Sequence, residues 1–143
     1  MINSFENKYE FLSNFYPSPI EIDGIMYPTV EHAFQASKTW NVTERLQIAD
    51  LATPGAAKRA GRQVHLRLDW EDVKFSVMKR CLDKKFQIPE LKEKLLSTEK
   101  EYLEEGNTWH DQCWGVCYCD KCGGLGLNHL GHMLMQIRSE IKE

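Results

Sequence analysis

The run Tyr27-Pro-Thr-Val-Glu-His-Ala-Phe-Gln-Ala-Ser-Lys38 decides how the rest of the chain is read. Thr29 has the hydroxyl of a good N-cap, able to accept from an early backbone N–H. The spacing predicts a helix from there to Lys38. Val30, Ala33, Phe34 and Ser37 recur at steps of three and four and form the core stripe. Glu31, Gln35 and Lys38 recur at steps of four and three on another face. A carboxylate, an amide and an amine thus line one wall, which could hold a polar ligand. The plainer reading is a surface helix whose acidic first turn and basic last turn suit the helix dipole. A capping box places Glu or Gln three residues after the cap, and His32 stands there instead. Glu31 is therefore not the reciprocal capping residue and is free to point elsewhere.

Working outward, 143 residues suit one domain over 1–143, and a hydrophobic fraction of 42% suffices for a core. Four Trp, six Phe and five Tyr exceed what packing alone demands. The net charge of −3 excludes a broad basic field for a nucleic-acid backbone. A nucleic-acid substrate would be gripped locally, at one nucleotide or one end. No apolar run nears the ~20 residues of a membrane helix, and no signal-peptide pattern opens the chain. The expectation is a soluble, cytoplasmic protein with no membrane partner.

Ile20-Glu-Ile-Asp-Gly-Ile-Met-Tyr27 alternates around Asp23-Gly24, a two-residue hairpin signal. Further helices are predicted over 44–51, from Thr53-Pro54, over 70–86 with Asp69 as cap, over 89–96 and over 127–141. In the 70–86 helix Val73, Val77, Leu82 and Phe86 point inward, and in the last helix Leu130, Leu134 and Ile137 do. A short strand is expected over 100–103. The fold class is α+β, a mostly helical single domain with a small antiparallel sheet.

Four places offer chemistry. Phe11-Leu-Ser-Asn-Phe-Tyr-Pro17 sets Ser13 and Asn14 among aromatics, either as an Asn turn or as a polar loop against a ligand, with Phe15 or Tyr16 packing a ring face. Lys58, Arg59 and Arg62 form a charged face or a phosphate site. Trp70 is a core residue or a stacking platform for a planar base, with Lys74 one turn on to meet a phosphate or a reactive carbon. In Trp109-His-Asp-Gln-Cys-Trp-Gly115, Asp111 and Trp114 share a loop. Asp111 and Glu31 supply two carboxylates, the usual equipment for glycosidic cleavage. Four of the five cysteines, Cys113, Cys117, Cys119 and Cys122, crowd into ten residues, a poor disulfide framework. Four thiolates could close a structural zinc site, with free or packed thiols as the other reading. In either case the cluster braces the Asp111 loop. No cofactor is required by the chemistry.

These segments, with Ala57-Lys-Arg-Ala-Gly-Arg62, Asp69-Trp70, Val77-Met78, Lys85-Phe86, Trp114-Gly115 and Gly126-Leu-Asn-His-Leu-Gly-His-Met-Leu-Met-Gln-Ile-Arg138, resemble in this order the YbiA-like, or NADAR, family. The resemblance covers nearly the whole chain. It implies an N-glycosidase acting on phosphoribosylamino-pyrimidine intermediates of riboflavin synthesis or on ADP-ribosylated guanine in nucleic acid. It implies Glu31 as the key acid, Trp70 as the family's tryptophan, Asp111 and Trp114 as its acid–tryptophan pair, and Asn128 as a further site position. The cysteines depart from members with glycines there and leave metal content open. The expected substrate carries a ribosyl-phosphate or ADP-ribosyl group. Hydrolysis would pass through an oxocarbenium-like centre, with Glu31 stabilising it or handling the water proton. Asp111 would orient the ribose hydroxyls or share the acid/base work, and Trp70 and Trp114 would stack on the base or wall off bulk water. Lys38 or Lys74 offers a Schiff-base route. The competing classes are a non-catalytic NAD or ADP-ribose-binding module and an interaction domain organised by the Cys119–Cys122 knuckle.

Overall fold

The computed structural model describes residues 1–142. In chain order, a 3-10 helix (Asn7–Leu12) precedes β1 (Ile20–Ile22), β2 (Ile25–Tyr27), α1 (Val30–Ala36), α2 (Val42–Ala49), α3 (Pro54–Ala60), α4 (Trp70–Lys85), α5 (Pro89–Leu96), β3 (Gly106–Asn107), β4 (Val116–Cys117) and α6 (His129–Ile141). The architecture is α+β and mostly helical, with a small antiparallel sheet. The chain forms two compact units, one from Asn14–Ile88 and one from Met1–Ser13 with the chain from Pro89 onward.

In the Asn14–Ile88 unit, β1 and β2 pair antiparallel with Ile22 opposite Ile25. Asp23 (φ 51°) and Gly24 (φ 84°) both lie in the left-handed region that a two-residue hairpin turn requires. The turn also anchors charge, because the Asp23 carboxylate accepts from Arg45 at 3.2 Å and Arg80 at 3.0 Å. Helix α1 touches α2, α3, α4 and both strands. All seven of its residues are buried, so it is an internal helix and not the dipole-matched surface helix. Val30, Ala33 and Ala36 have no exposed surface, and Ser37 is buried as its stripe required. Asn41 and Thr53 cap α2 and α3, accepting from Glu44 N and Ala56 N, and Pro54 opens α3.

Two expectations about α4 need correction. Asp69 makes no side-chain cap. Both its oxygens instead accept the Arg67 fork, from Nε at 2.6 Å and Nη2 at 2.9 Å. A bidentate guanidinium outcompetes single backbone N–H donors. Val73 and Val77 are only half-buried, and the buried face is Trp70, Met78, Cys81, Leu82 and Lys85, followed by Phe86.

Lys85 has no exposed surface, and its amine lies 5.9 Å from the Tyr16 ring centre and 5.2 Å from that of Phe86. Burial pushes its pKa down to about 7. The unfolded chain keeps this amine charged until near its ordinary value of 10.5. Between those values the unfolded state binds more protons, so this group's burden on stability is full below about pH 7 and is lifted as pH rises toward 10.5. Lys85→Met is expected to remove that dependence. The unfolding free energy of the variant minus that of the wild type should be flat at low pH and fall by about 1.4 kcal/mol per pH unit above pH 7. Urea denaturation from pH 6 to 10 checks this, and a difference constant across the range would refute it.

In the other unit, Ile2, Phe11, Leu12, Leu91, Leu95, Leu103, Leu130, Leu134 and Ile137 are among the buried apolar residues. The predicted strand over 100–103 is reduced to a single parallel bridge between Ile2 and Leu103. The parallel β3–β4 pair, Gly106 opposite Val116 and Asn107 opposite Cys117, had no sequence signal because each strand is two residues long. No helix among the described residues is long and apolar enough to cross a membrane.

Candidate functional site

The polar row of α1 is an internal feature. Thr29 caps the helix by accepting from His32 N at 3.1 Å. His32 is buried, with Nε2 2.9 Å from the Leu51 carbonyl and Nδ1 2.8 Å from the Thr29 hydroxyl. A carbonyl only accepts, so Nε2 carries the proton, and in the neutral ring Nδ1 accepts from Thr29. His32 is thus consumed by the cap, which leaves the neighbouring Glu31 to another partner. Glu31 is 9% exposed, and one of its carboxylate oxygens accepts from Gln35 Nε2 at 3.0 Å. Its backbone N–H donates to the Asn14 carbonyl at 3.1 Å, tying the Asn14 loop to the first turn.

The other end of the Gln35 amide explains a glycine. Gln35 Oε1 is buried without a hydrogen-bond partner among the described residues. It lies directly against Gly61, where any Cβ would overlap it and come within 2.7 Å of Gln35 Cδ. Gly61 has φ −60°, an ordinary helical value, so the glycine serves space and not backbone conformation.

Lys38 completes the row at half-burial. Burial lowers its pKa, the Glu31 charge partly restores it, and Arg62 and Lys58 lower it further. Lys38, just past the end of α1, therefore feels one carboxylate, Glu31, and two cations from the region of α3. Arg67 fixes the end of α1, its backbone N–H donating to the Lys38 carbonyl at 2.7 Å and its guanidinium lying 3.9 Å from the Trp40 ring centre. Sequence reasoning missed Arg67 and Gly61. Neither carries a local signal, because each acts on a residue more than twenty positions away.

The remaining predicted residues of this unit divide. Trp70 is 6% exposed and packs tilted on Phe34 with ring centres 5.1 Å apart, so it supports α1 from the core side. Asn14 is half-buried, and its Nδ2 lies 3.6 Å from Met78 Sδ. Phe15 is 43% exposed. Lys74 pairs with Glu71 at 3.0 Å on the surface of α4.

In the other unit, Ser13 ends the 3-10 helix, its N–H donating to the Glu10 carbonyl. The Asp111 loop is built by Asn107, which is 4% exposed. Asn107 Oδ1 accepts from Trp109 N at 3.3 Å and Asp111 N at 3.2 Å, while Nδ2 donates to the Asp111 carbonyl at 2.9 Å. Asp111 in turn accepts from Cys113 N at 3.1 Å and Trp114 N at 2.9 Å through one oxygen. Asp111 and Trp114 are thus joined, and Trp114 meets His129 edge-on with ring centres 6.3 Å apart. Asn128 is buried at φ 53°, and its amide is spent on backbone, accepting from Glu105 N at 3.0 Å and donating to the Leu103 carbonyl at 2.9 Å. Its place in the fold is that of an organiser. The cysteines form no disulfide. Cys117, Cys119 and Cys122 converge with His110, whereas Cys113, expected in that set, is not among the converging groups. The Cys113 carbonyl accepts from His129 N at 3.2 Å, which draws that residue toward the start of α6.

Comparison with known proteins places the chain. The sequence model of the NADAR domain matches residues 2–142 and so spans both units. The chain is 40% identical over 141 residues to the N-glycosidase YbiA of Escherichia coli, covering 96% of this chain and 85% of that protein. It is 39% identical over 140 residues to an N-glycosidase of Nostoc punctiforme, covering 94% and 86%. It is 36% identical over 143 residues to a riboflavin biosynthesis protein of Vibrio vulnificus, covering 96% of this chain but 37% of that longer one. The NMR structure of E. coli YbiA superimposes with a TM-score of 0.79 at 36% identity, covering 99% of this chain and 87% of that one. Family model, relatives and fold agree: this chain belongs to the NADAR domain family.

Proposed function

We propose that the protein is an N-glycosidase that hydrolyses a ribosyl C1′–N bond in a phosphoribosyl- or ADP-ribosyl-linked base. The observation that carries this reading is the buried Glu31 carboxylate, held by Gln35 and coupled to Lys38, which in turn feels Lys58 and Arg62. Departure of the base leaves positive charge on C1′ and the ring oxygen. A preorganised carboxylate in a site of low dielectric lowers that barrier, and the nearby cations suit a phosphate on the same sugar. The names of the relatives, N-glycosidase and riboflavin biosynthesis protein, support the reaction class and a ribosyl-linked heterocycle. Glu31 is assigned the charge at C1′ or the proton of the attacking water. Asp111 and Trp114 are assigned to the reaction by the order of their motifs, with base release by Asp111→Asn as the check. Trp70 is assigned the positioning of α1 through Phe34.

Lys38 supports a second route. Burial lowers its pKa and so enlarges the share of neutral amine able to attack an opened sugar aldehyde. Borohydride added during turnover decides between the routes. A reduced sugar adduct on Lys38 establishes the Schiff base, and complete turnover with no adduct leaves direct hydrolysis. The substrate is sought with a panel: the phosphoribosylamino-pyrimidine intermediates, ADP-ribosylated guanine in DNA, NAD and ADP-ribose. Consumption of a phosphoribosyl or ADP-ribosyl N-glycoside supports the proposal. A bound ligand recovered unchanged from every incubation supports a binding module instead.

A further inference from the structure

We propose that His110, Cys117, Cys119 and Cys122 form a closed tetrahedral zinc site that braces the loop carrying Asp111. The four donor atoms come from one exposed loop residue, one residue of β4 and the turn that follows it, and no two are more than 4.8 Å apart. His110 Nδ1 lies 3.4 Å from Cys119 Sγ and 3.4 Å from Cys122 Sγ. With Zn–S bonds of about 2.3 Å and a Zn–N bond of about 2.0 Å, a tetrahedron has N···S edges of roughly 3.5 Å and S···S edges of roughly 3.8 Å. The spacing therefore fits a single ion with little adjustment. Three thiolates and an imidazole are the donor set that selects zinc over harder cations.

The backbone is arranged for thiolates. The Cys122 N–H donates to Cys119 Sγ at 3.3 Å, and the His110 N–H donates to Cys117 Sγ at 3.3 Å. Gly123 and Gly124, at φ 62° and 85°, turn the chain back so that their N–H groups reach the Cys119 and Cys117 carbonyls. Residues with side chains adopt that conformation at a cost, so the pair of glycines makes the turn cheap. His110 itself sits at φ 70°, strained for a residue with a Cβ. A bond from its ring to a metal offsets that strain. Four protein ligands leave no open position, so the site is structural and takes no part in the chemistry. Its effect is on neighbours: His110 precedes Asp111, and Cys117 sits opposite Asn107, the residue that organises the loop.

The test uses the full chain, purified under reducing conditions without chelator. Elemental analysis should give about one zinc per chain, released when a mercurial blocks the thiols. Cobalt(II) substitution followed by X-ray absorption should show three sulfur ligands and one nitrogen. His110→Ala should weaken zinc binding by at least about 100-fold, since loss of a ligand exceeds the 10–100-fold typical of removing a ligand's support. Cys113→Ser should retain a full equivalent. Four sulfur ligands, with zinc lost from Cys113→Ser and kept by His110→Ala, would overturn the assignment. So would a chain that takes up no zinc and forms a Cys119–Cys122 disulfide under mild oxidant. The ligand count on unaltered protein stands even where a variant fails to fold.

Discussion

Glu31→Gln is expected to lower kcat by at least about 100-fold while leaving the thermal midpoint unchanged or slightly raised. The two effects have separate causes. Turnover loses the negative charge that meets the developing cation at C1′, and removal of one preorganised electrostatic partner costs about 10²–10³ in rate. Stability does not suffer, because a buried carboxylate carries a desolvation cost that a neutral amide of the same shape avoids. A residue retained for packing would show the opposite pattern. The same substitution carries a second readout. Glu31 raises the pKa of Lys38 against the effects of burial, Arg62 and Lys58. Without it the Lys38 pKa should fall further, so the amine stays neutral to lower pH. Heteronuclear titration of the lysine side chains measures that shift. An unmoved Lys38 would mean that the two side chains do not share a field.

Gly61→Ala is expected to damage both fold and activity, though nothing about its backbone forbids alanine. At a helical φ of −60°, alanine would ordinarily gain up to about 1 kcal/mol. Here the new methyl overlaps the buried Gln35 amide. Overpacking of a closed interior costs about 1–3 kcal/mol, which exceeds the propensity gain. Relief requires Gln35 to move, and Gln35 holds Glu31 at 3.0 Å. A displacement of about 1 Å at a reacting group can cost on the order of 100-fold in rate. The double variant Gln35→Ala with Gly61→Ala separates the two effects. The methyl then occupies space the amide has left, so stability should recover beyond the sum of the single changes. Turnover should stay low, because Glu31 still lacks its partner. Recovery of both together would show that Gln35 does not position the acid.

What could be read from the sequence was local. Thr29 before Val30, Asp23-Gly24 between alternating residues, and Pro89 at a helix start each act within four residues, and each appears where expected. Failures came where a distant group changed the outcome. Asp69 is a local exception: it has the composition of a cap, but Arg67, two residues before it, claims both its oxygens. Lys85 has the composition of a surface residue on an amphipathic helix, yet it is wholly enclosed. The polar row of α1 was legible as a row, but periodicity cannot tell an exposed polar face from one covered by neighbouring helices. The spacing of the thiols suggested four cysteines acting together. The structure replaces Cys113 by His110, because a left-handed residue turns the loop back on itself and the Cys113 backbone is engaged by Asp111 and His129. Asn128 was legible as important but not as to why, since the backbone groups it satisfies lie more than twenty residues away.

The central claim is that Glu31 drives hydrolysis of a ribosyl C1′–N bond. Its most direct measurement is the stoichiometry of base and reducing sugar released from the consumed member of the substrate panel, with wild type and Glu31→Gln at equal concentration. The account predicts one base and one sugar per substrate for the wild type, and release at least about 100-fold slower for the variant. Equal rates from the two proteins, or intact substrate recovered from a stable wild-type complex, would contradict it.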